Sequence, residues 1–274
     1  MREEDEVISF IMQEAYGTRY VQIRQFLKIP FINHAFFSRV GGVSTYPYYS
    51  LNFNKNGDSQ DNIEKNKEIV SNILHCDSHN FVSIQQVQGD IILIIKEPLL
   101  DADVLSNKEG DALTTNVPNI VLSVKTGDCL PIIFSSTDGT VVGIAHTGWR
   151  GTLLRIANKV ISVFENVFGC KREMILVGLG PSIGSCCYEV GWELYQKFQN
   201  DNFNIERCFY KKNKKLFLDL QMANIDEMTK FGIPRHHIFS IQLCTSCLRN
   251  DFFSYRRDKG ITGRQINVIT RQTK

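Results

Sequence analysis

The sequence has no excess of one charge and no long apolar run. Its 274 residues include 31 Lys and Arg against 29 Asp and Glu, which gives a formal net charge of +2. A chain this close to neutrality has no overall field that would draw it to nucleic acid or to an anionic membrane surface. No apolar stretch approaches the roughly 20 residues of a membrane-spanning helix. We therefore expect neither nucleic acid nor a membrane among its partners.

The first residues lack the pattern of a secretory signal. The segment MREEDEVISF is acidic and has no basic start followed by an apolar core. Eight cysteines would suit a disulfide framework in a small secreted protein, but this chain is neither small nor visibly exported. We expect a cytoplasmic protein with reduced thiols.

Two common nucleotide-binding motifs are also missing. The chain contains neither a Walker loop nor a G-x-G-x-x-G segment, so nothing in it indicates use of ATP or NAD. The candidate anion ligands are instead Arg39, Arg150 and Arg256, of which Arg39 adjoins a glycine-rich turn. Such turns expose backbone N–H groups, and a guanidinium is a planar double donor.

Strand and helix patterns interleave along the chain. The chain is long enough to bury one sizeable core. Residues 1–30 carry no motif and are expected to be an N-terminal extension packed on a single domain of residues 31–274. Because a central hairpin interrupts the alternation, the sheet cannot be purely parallel. The predicted fold is α/β, a single domain with a mixed β-sheet core flanked by helices.

The central hairpin lies in LPIIFSSTDGTVVGIAH, residues 130–146. Two apolar runs are joined at Asp138-Gly139, whose glycine tolerates a positive φ. Cys129 therefore lies just before one strand, and His146 lies at the end of its partner, near the same sheet edge. Such a pair is either a thiolate–imidazole nucleophile or two ligands of a zinc ion. Each residue alone could also be an ordinary buried side chain.

A second cysteine pattern is the CxxC formed by Cys244 and Cys247. A structural zinc site needs another pair, and the adjacent Cys186 and Cys187 are not expected to supply it. A thioredoxin-like redox role would place the motif after the first strand rather than late in the chain. We therefore expect neither role.

A set of segments resembles the YfiH/LACC1 family in content and order. These segments are FFSRVGGVS with YSLNF, QQVQGD, DALTTN, TGDCLPI, AHTGWRG, GLGPSIGSCCYEVG and FFSYRRDKGITGRQINVI. The family was long labelled multicopper polyphenol oxidase or laccase and is now associated with purine nucleoside phosphorolysis and adenosine deamination. The resemblance, from about His34 to Ile269, implies a single α/β domain with zinc as cofactor and phosphate as co-substrate.

The resemblance also implies roles for individual residues. Cys129 and His146 match two zinc ligands of the family, but Gln88 stands where the family has its histidine ligand. Because zinc prefers nitrogen and sulfur to an amide oxygen, we expect a weakened metal site. Asp128 is the candidate for moving protons or for orienting the Cys129 and His146 groups. Four further motif positions are implied to bind substrate: Arg39, Asn52, Tyr188 and Arg256.

Three functions stay open from these residues. The first is a purine nucleoside phosphorylase with low metal affinity, a glycosyltransferase that acts as a monomer or homodimer and for which adenosine deamination is a further expected reaction. The second is a metal-independent cysteine hydrolase with Cys129 as nucleophile and His146 as base. The third is a degenerate nucleoside-binding protein that keeps the pocket and lacks the chemistry. Multicopper oxidation is disfavoured because it needs many histidine ligands, and the six histidines are scattered.

Overall fold

A computed structural model describes residues 9–99 and 102–273. Its strands are β1 (Phe10–Ala15), β2 (Thr18–Ile23), β3 (Ile32–Phe37), β4 (Phe81–Val82), β5 (Ile92–Ile95), β6 (Ala112–Thr115), β7 (Val121–Thr126), β8 (Leu130–Ser136), β9 (Val142–Thr147), β10 (Ile175–Leu179), β11 (Glu189–Val190), β12 (Phe209–Lys212), β13 (Lys215–Leu218), β14 (Ile238–Ser240) and β15 (Gln265–Arg271). Its α-helices are α1 (Gln60–Leu74), α2 (Trp149–Leu153), α3 (Ile156–Phe168), α4 (Trp192–Asn200), α5 (Ile205–Cys208) and α6 (Leu220–Lys230).

The strands form two large mixed sheets and one small sheet. The large sheets have the orders β1-β2-β3-β15-β7-β4 and β14-β10-β8-β9-β6-β5, and the small sheet has the order β11-β13-β12. In each large sheet antiparallel ladders are combined with parallel pairs, such as β4 with β7 and β5 with β6. The predicted mixed α/β fold is confirmed.

The mixed core is built from two large sheets, a number that the apolar pattern does not predict. Val124 of the first large sheet shares an apolar cluster with Ile133 and Ile144 of the second. Both sheets thus contribute side chains to a common core. Alternation of apolar residues identifies a buried strand, but it carries no information about which sheet that strand joins.

The described part of residues 1–30 contributes strands to the first large sheet. Strands β1 and β2 form an antiparallel hairpin, and β2 pairs with β3 through Tyr20 and Phe37. Ile23 and Phe26 are buried in the core. Residues 1–8 of the predicted extension, including most of the acidic segment, lie outside the described residues.

Apolar residues recur at three- and four-residue spacing from Leu153 to Phe168, which predicts one helix ending at Gly169, and Gly169, with a φ of +71°, caps α3. Its start differs from the prediction, because Arg155 adopts a φ of +54° and separates α2 from α3. The three-and-four spacing of apolar residues continues across this break, so the pattern could not reveal it. Helix α1 is capped by Ser59, whose side chain accepts the backbone N–H of Asn62.

The predicted central hairpin is confirmed. Strands β8 and β9 are antiparallel, and Pro131 lies opposite His146. Gly139 in the connecting turn has a φ of +71°. The hairpin thereby brings Cys129 and His146 to one edge of the second large sheet. Within the part of the chain that the structure describes, no helix is both long enough and apolar enough to cross a membrane.

Candidate active site

A pocket of about 990 Å³ opens at this edge. Seven residues singled out from the sequence line it: Gln88, Asp128, Cys129, His146, Arg150, Tyr188 and Arg256. His146 lies at the end of β9, and Asp128 and Cys129 lie in the connection between β7 and β8. Arg39 and Asn52, the two other predicted substrate ligands, are not part of this lining.

His146 is held by a buried carboxylate. Its Nδ1 atom lies 2.8 Å from Oδ1 of Asp111, and both side chains are buried. The ring also hydrogen-bonds the Cys129 sulfur, and since Nδ1 is taken, Nε2 is the atom free for that bond. Burial disfavours the charged ring, but the sulfur and the carboxylate together raise the pKa of His146 to about 9. His146 is therefore an imidazolium at neutral pH.

The position of the Cys129 sulfur depends on a glycine. A Cβ atom at Gly148, in the turn between β9 and α2, would lie only 3.1 Å from the Cys129 Sγ. The HTGWRG segment thus leaves room for a sulfur beside the imidazole. Cys129, His146 and Asp111 form a sulfur–imidazole–carboxylate series in which each group touches the next.

Asp111 also shapes the loop that carries Gln88. Its two carboxylate oxygens accept the backbone N–H groups of Val87, Gln88 and Gly89, at 3.2, 3.1 and 2.6 Å. Burial opposes the charge, but these bonds and His146 keep the pKa of Asp111 below its usual value. The same carboxylate therefore fixes both the His146 imidazole and the loop beside it.

Gln88 does not complete a metal site. Its Oε1 atom accepts a hydrogen bond of 2.8 Å from Nη1 of Arg150, and its side chain is exposed. Catalytic zinc usually takes three protein ligands. Among the described residues, the groupings of three or more potential metal-ligating side chains do not include Cys129 and His146. The residues present at this pocket do not fit a three-ligand catalytic zinc ion.

Asp128 anchors the loops around the pocket. Its Oδ1 accepts the Thr245 hydroxyl at 2.6 Å, and its Oδ2 accepts the Ser254 hydroxyl at 3.0 Å and the backbone N–H of Arg256 at 2.7 Å. The residue has a φ of +109°, which is unusual for a side chain with a Cβ atom. Burial raises the pKa of Asp128, while these bonds oppose the rise. Both carboxylate oxygens of Asp128 accept hydrogen bonds, and these bonds hold the loops that carry Thr245 and Arg256.

The pocket wall is strongly basic. Among the described residues, five cationic side chains and one carboxylate, Asp128, line the pocket; the cations are Lys55, Lys125, Arg150, Arg256 and Arg264. Burial and the nearby charge of Lys55 lower the pKa of Lys125. An anionic ligand would relieve this unbalanced charge.

Tyr188 supplies an aromatic wall. The Arg256 guanidinium lies 5.0 Å from the centre of its ring, and burial raises the pKa of Tyr188 to about 12. Its hydroxyl therefore stays neutral at ordinary pH. A ring of this kind can stack against a flat heterocycle.

The two predicted substrate ligands outside the pocket lining, Arg39 and Asn52, hydrogen-bond neighbouring loops. Arg39 donates to the carbonyl oxygen of Tyr49 at 2.7 Å and covers the ring of Phe253 at 4.5 Å. Asn52 is fully buried, and its Oδ1 accepts the backbone N–H of Arg264 at 2.9 Å. Asn52 thus positions a cation of the pocket wall without lining the pocket itself.

Sequence reasoning overlooked three residues of the site. Asp111, Lys125 and Arg264 were not singled out, although Asp111 begins the DALTTN segment. A carboxylate directly before the strand segment ALTT, within a motif of the family, is the signal that could have identified it. Lys125 carries no such signal, because a lysine near a strand end is ordinarily a solvated residue.

The expectation that Cys186 and Cys187 cannot pair with the CxxC motif is wrong. One sulfur atom from each of Cys186, Cys187, Cys244 and Cys247 lies within 4.8 Å of all the others. Adjacent residues point to opposite sides of a strand, but Cys186 and Cys187 lie in a turn, where that alternation does not apply. This four-cysteine cluster is separate from the pocket lining.

Comparison with known proteins agrees with this geometry. The model of the family described as multi-copper polyphenol oxidoreductase laccase matches residues 33–272. The purine nucleoside phosphorylase YfiH of Escherichia coli is 34% identical over 234 residues, which cover 85% of this chain and 90% of that protein. The adenosine deaminase RL5, from an unknown prokaryotic organism, is 32% identical over 205 residues, covering 73% and 78% of the two chains.

Solved structures give the same result. The crystal structure of the Bacillus licheniformis hypothetical protein YfiH superposes with a TM-score of 0.87 at 31% identity, covering 95% of this chain and 99% of that one. YlmD from Geobacillus stearothermophilus gives the same TM-score at 30% identity, with coverage of 95% and 98%. The family match spans most of the chain, and the relatives align over nearly their full length. This chain therefore belongs to the YfiH/LACC1 family, whose model carries the laccase description.

Proposed function

We propose that this chain is a purine nucleoside phosphorylase whose chemistry is carried by protein side chains. The observation that carries the proposal is a basic pocket built around the Cys129, His146 and Asp111 series. Phosphorolysis needs a site for an anion, a surface for a purine and a proton for the departing base. Relatives in the same family are named for this activity.

The basic wall supports a phosphate subsite. Arg150 and Arg264 present guanidinium groups to the pocket, and Lys125 adds a partly buried ammonium group. Arginine binds phosphate oxygens through two parallel donors, and such charge-assisted bonds are stronger than neutral ones. Tyr188, on the opposite loop, would stack against the purine.

The bond changes follow from this arrangement. A phosphate oxygen forms a bond to the anomeric carbon of the sugar while the bond between that carbon and the purine nitrogen breaks. The electron pair of the broken bond leaves with the purine, and a proton neutralises it. The His146 imidazolium is the buried proton donor of the pocket. The products are the free base and a pentose 1-phosphate.

The test is product analysis with adenosine, inosine and guanosine, each with and without phosphate. We expect free base and pentose 1-phosphate only when phosphate is present. His146→Gln should abolish the reaction, and Cys170→Ser serves as a control substitution outside the pocket. Failure of the folded wild-type chain to cleave any of the three nucleosides would refute the proposal. Inosine formed from adenosine without loss of the base would identify deamination instead.

A second candidate is a cysteine hydrolase. The contacts from Cys129 to His146 and from His146 to Asp111 match the order of nucleophile, base and orienting group in such enzymes. An activated ester would distinguish it: a burst of product equal to the enzyme concentration, with an acyl adduct mapped to Cys129, favours hydrolysis. Absence of that adduct, together with phosphate-dependent nucleoside cleavage, favours phosphorolysis.

A further inference from the structure

The four-cysteine cluster is built from two loops that are held side by side. Cys186 and Cys187 lie in the turn after β10, and Cys244 and Cys247 lie in the turn after β14. Backbone pairing between Ser182 and Cys244 joins the two loops just before these turns. The cluster is therefore an assembled feature that draws on segments about 60 residues apart in the sequence.

The spacing of the sulfurs suits one metal ion. The Cys247 Sγ lies 3.5 Å from that of Cys186 and 3.3 Å from that of Cys187. These separations exceed the about 2.05 Å of a disulfide bond. A tetrahedral zinc ion with bonds of about 2.3 Å would place its sulfurs about 3.8 Å apart. All four sulfurs are too close together to enclose a cluster of several iron ions.

The surroundings suit a negatively charged metal–thiolate centre. The backbone N–H of Gly184 donates to the Cys244 sulfur at 3.3 Å, as backbone groups do around structural zinc ligands. Arg257 donates to the carbonyl oxygens of Thr245 and Ser246, at 2.9 and 3.3 Å, and so fixes the backbone of the CxxC turn. Its charge is balanced by the Asp258 carboxylate, which lies 2.8 Å from its Nε atom.

We propose that Cys186, Cys187, Cys244 and Cys247 bind one structural zinc ion, at a site distinct from Cys129 and His146. Each thiol releases its proton to solvent as its sulfur binds the metal. The ion ties together the loop that leads into Tyr188 and the turn that contains Thr245, the hydrogen-bond partner of Asp128. It stabilises the wall of the pocket and takes no part in the reaction, so the site does not depend on the proposed function.

Zinc content of the full chain tests this site. The protein is purified under reducing, oxygen-free conditions, passed through a desalting column and analysed for metals. We expect about one zinc ion per chain, with an X-ray absorption spectrum showing four sulfur ligands at about 2.3 Å. Iron in place of zinc, or a chain that takes up no zinc on reconstitution, would overturn the proposal.

Matched variants locate the ion. Cys186→Ser combined with Cys247→Ser should lose the zinc, whereas Cys76→Ser combined with Cys170→Ser, which removes two thiols outside the cluster, should keep it. Cys129→Ser should also keep it. Retention of zinc in the first variant, or its loss in the Cys129 variant, would contradict the assignment.

Cobalt substitution of the wild-type chain covers the case in which the cluster variant does not fold. Tetrahedral cobalt with four thiolates gives intense sulfur-to-metal absorption bands, and we expect these bands. A spectrum of nitrogen and oxygen ligands would overturn the proposal, as would a disulfide between two cluster cysteines in the oxygen-free preparation.

Discussion

The His146 Nδ1 atom lies 2.8 Å from the Asp111 Oδ1 atom, with both side chains buried. This contact joins the residue that immediately precedes β6 to a residue near the end of β9. It orients the imidazole, directs its second nitrogen to Cys129 and stabilises the charged ring. The pairing of β6 with β9 in the second large sheet therefore sets the position of the His146 imidazole in the pocket.

The first prediction concerns this pair. The pKa of His146 is raised from its ordinary value of 6.5 to about 9 in the folded protein. The charged ring therefore stabilises the fold fully below pH 6.5, and this contribution is lost as the pH rises through about 9. Asp111→Asn should lower the His146 pKa, which NMR titration of the ring measures. It should reduce the free energy of unfolding by about 3 kcal/mol at neutral pH, and by less at high pH.

Asp90→Asn provides the control for this substitution. Asp90 pairs with Lys159 near the surface, where an ion pair contributes about 0–1 kcal/mol. We expect a small effect on urea unfolding that is insensitive to the His146 titration. Equal destabilisation by the two substitutions would contradict the special role of Asp111.

The second prediction concerns the residue that departs from the family motif. Gln88→His should add a histidine nitrogen to the Cys129 sulfur and the His146 nitrogen, which makes three ligands that zinc prefers. The variant should therefore bind zinc more tightly than the wild type. The φ of +59° at Gln88 is a conformation in which histidine is found more often than most residues. Zinc titration is best made in the Cys186→Ser, Cys247→Ser background, so that the two metal sites are counted separately.

Gln88→Asn is the matched control for that titration, because it keeps an amide and should leave zinc affinity unchanged. If Gln88→His binds no more zinc than Gln88→Asn, the loop is in the wrong position for a third ligand. In that case the resemblance to the family's zinc site would not extend to this position.

The third prediction concerns phosphate. Arg150→Gln removes one cation from the pocket wall, and a hydrogen bond to a charged group contributes about 1.5–3 kcal/mol. The KM for phosphate should therefore rise about 10- to 100-fold, while the KM for the nucleoside changes little. Steady-state kinetics with each substrate varied in turn measures the two KM values. Lys171→Gln, which removes one positive charge at an exposed position, is the control. A rise confined to the nucleoside KM would place Arg150 at the purine instead.

The fourth prediction concerns Asp128. Asp128→Asn places an amide N–H₂ group where the carboxylate oxygen accepts hydrogen bonds from Ser254 and Arg256. Buried donors then lack an acceptor, which lowers the free energy of unfolding by about 1–3 kcal/mol. We expect a loss of that size in urea unfolding, together with reduced activity as the loops loosen. Asp61→Asn, on the exposed face of α1, should change neither. Loss of activity without loss of stability would instead assign Asp128 a direct part in proton transfer.

Several features of the site followed from sequence alone because they depend on local chain geometry. The Asp138-Gly139 turn required a hairpin, and a hairpin necessarily returns His146 to the level of Cys129. The order of the family motifs indicated the fold and the relatives. The division of the strands between two large sheets did not follow from sequence, because apolar alternation indicates that a strand is buried but does not indicate which strands are its neighbours.

The sequence by itself determined the α/β composition, the hairpin that carries the Cys129 and His146 pair, and the substitution of Gln88 for a metal-ligating histidine. Only the tertiary structure decided which distant groups meet these residues. It brought Asp111 to His146, Arg150 to Gln88, and Cys186 and Cys187 to the CxxC motif. The physical reason is that spacing and periodicity act over a few residues, whereas these contacts join loops through sheet pairing and a shared core between segments far apart in the chain.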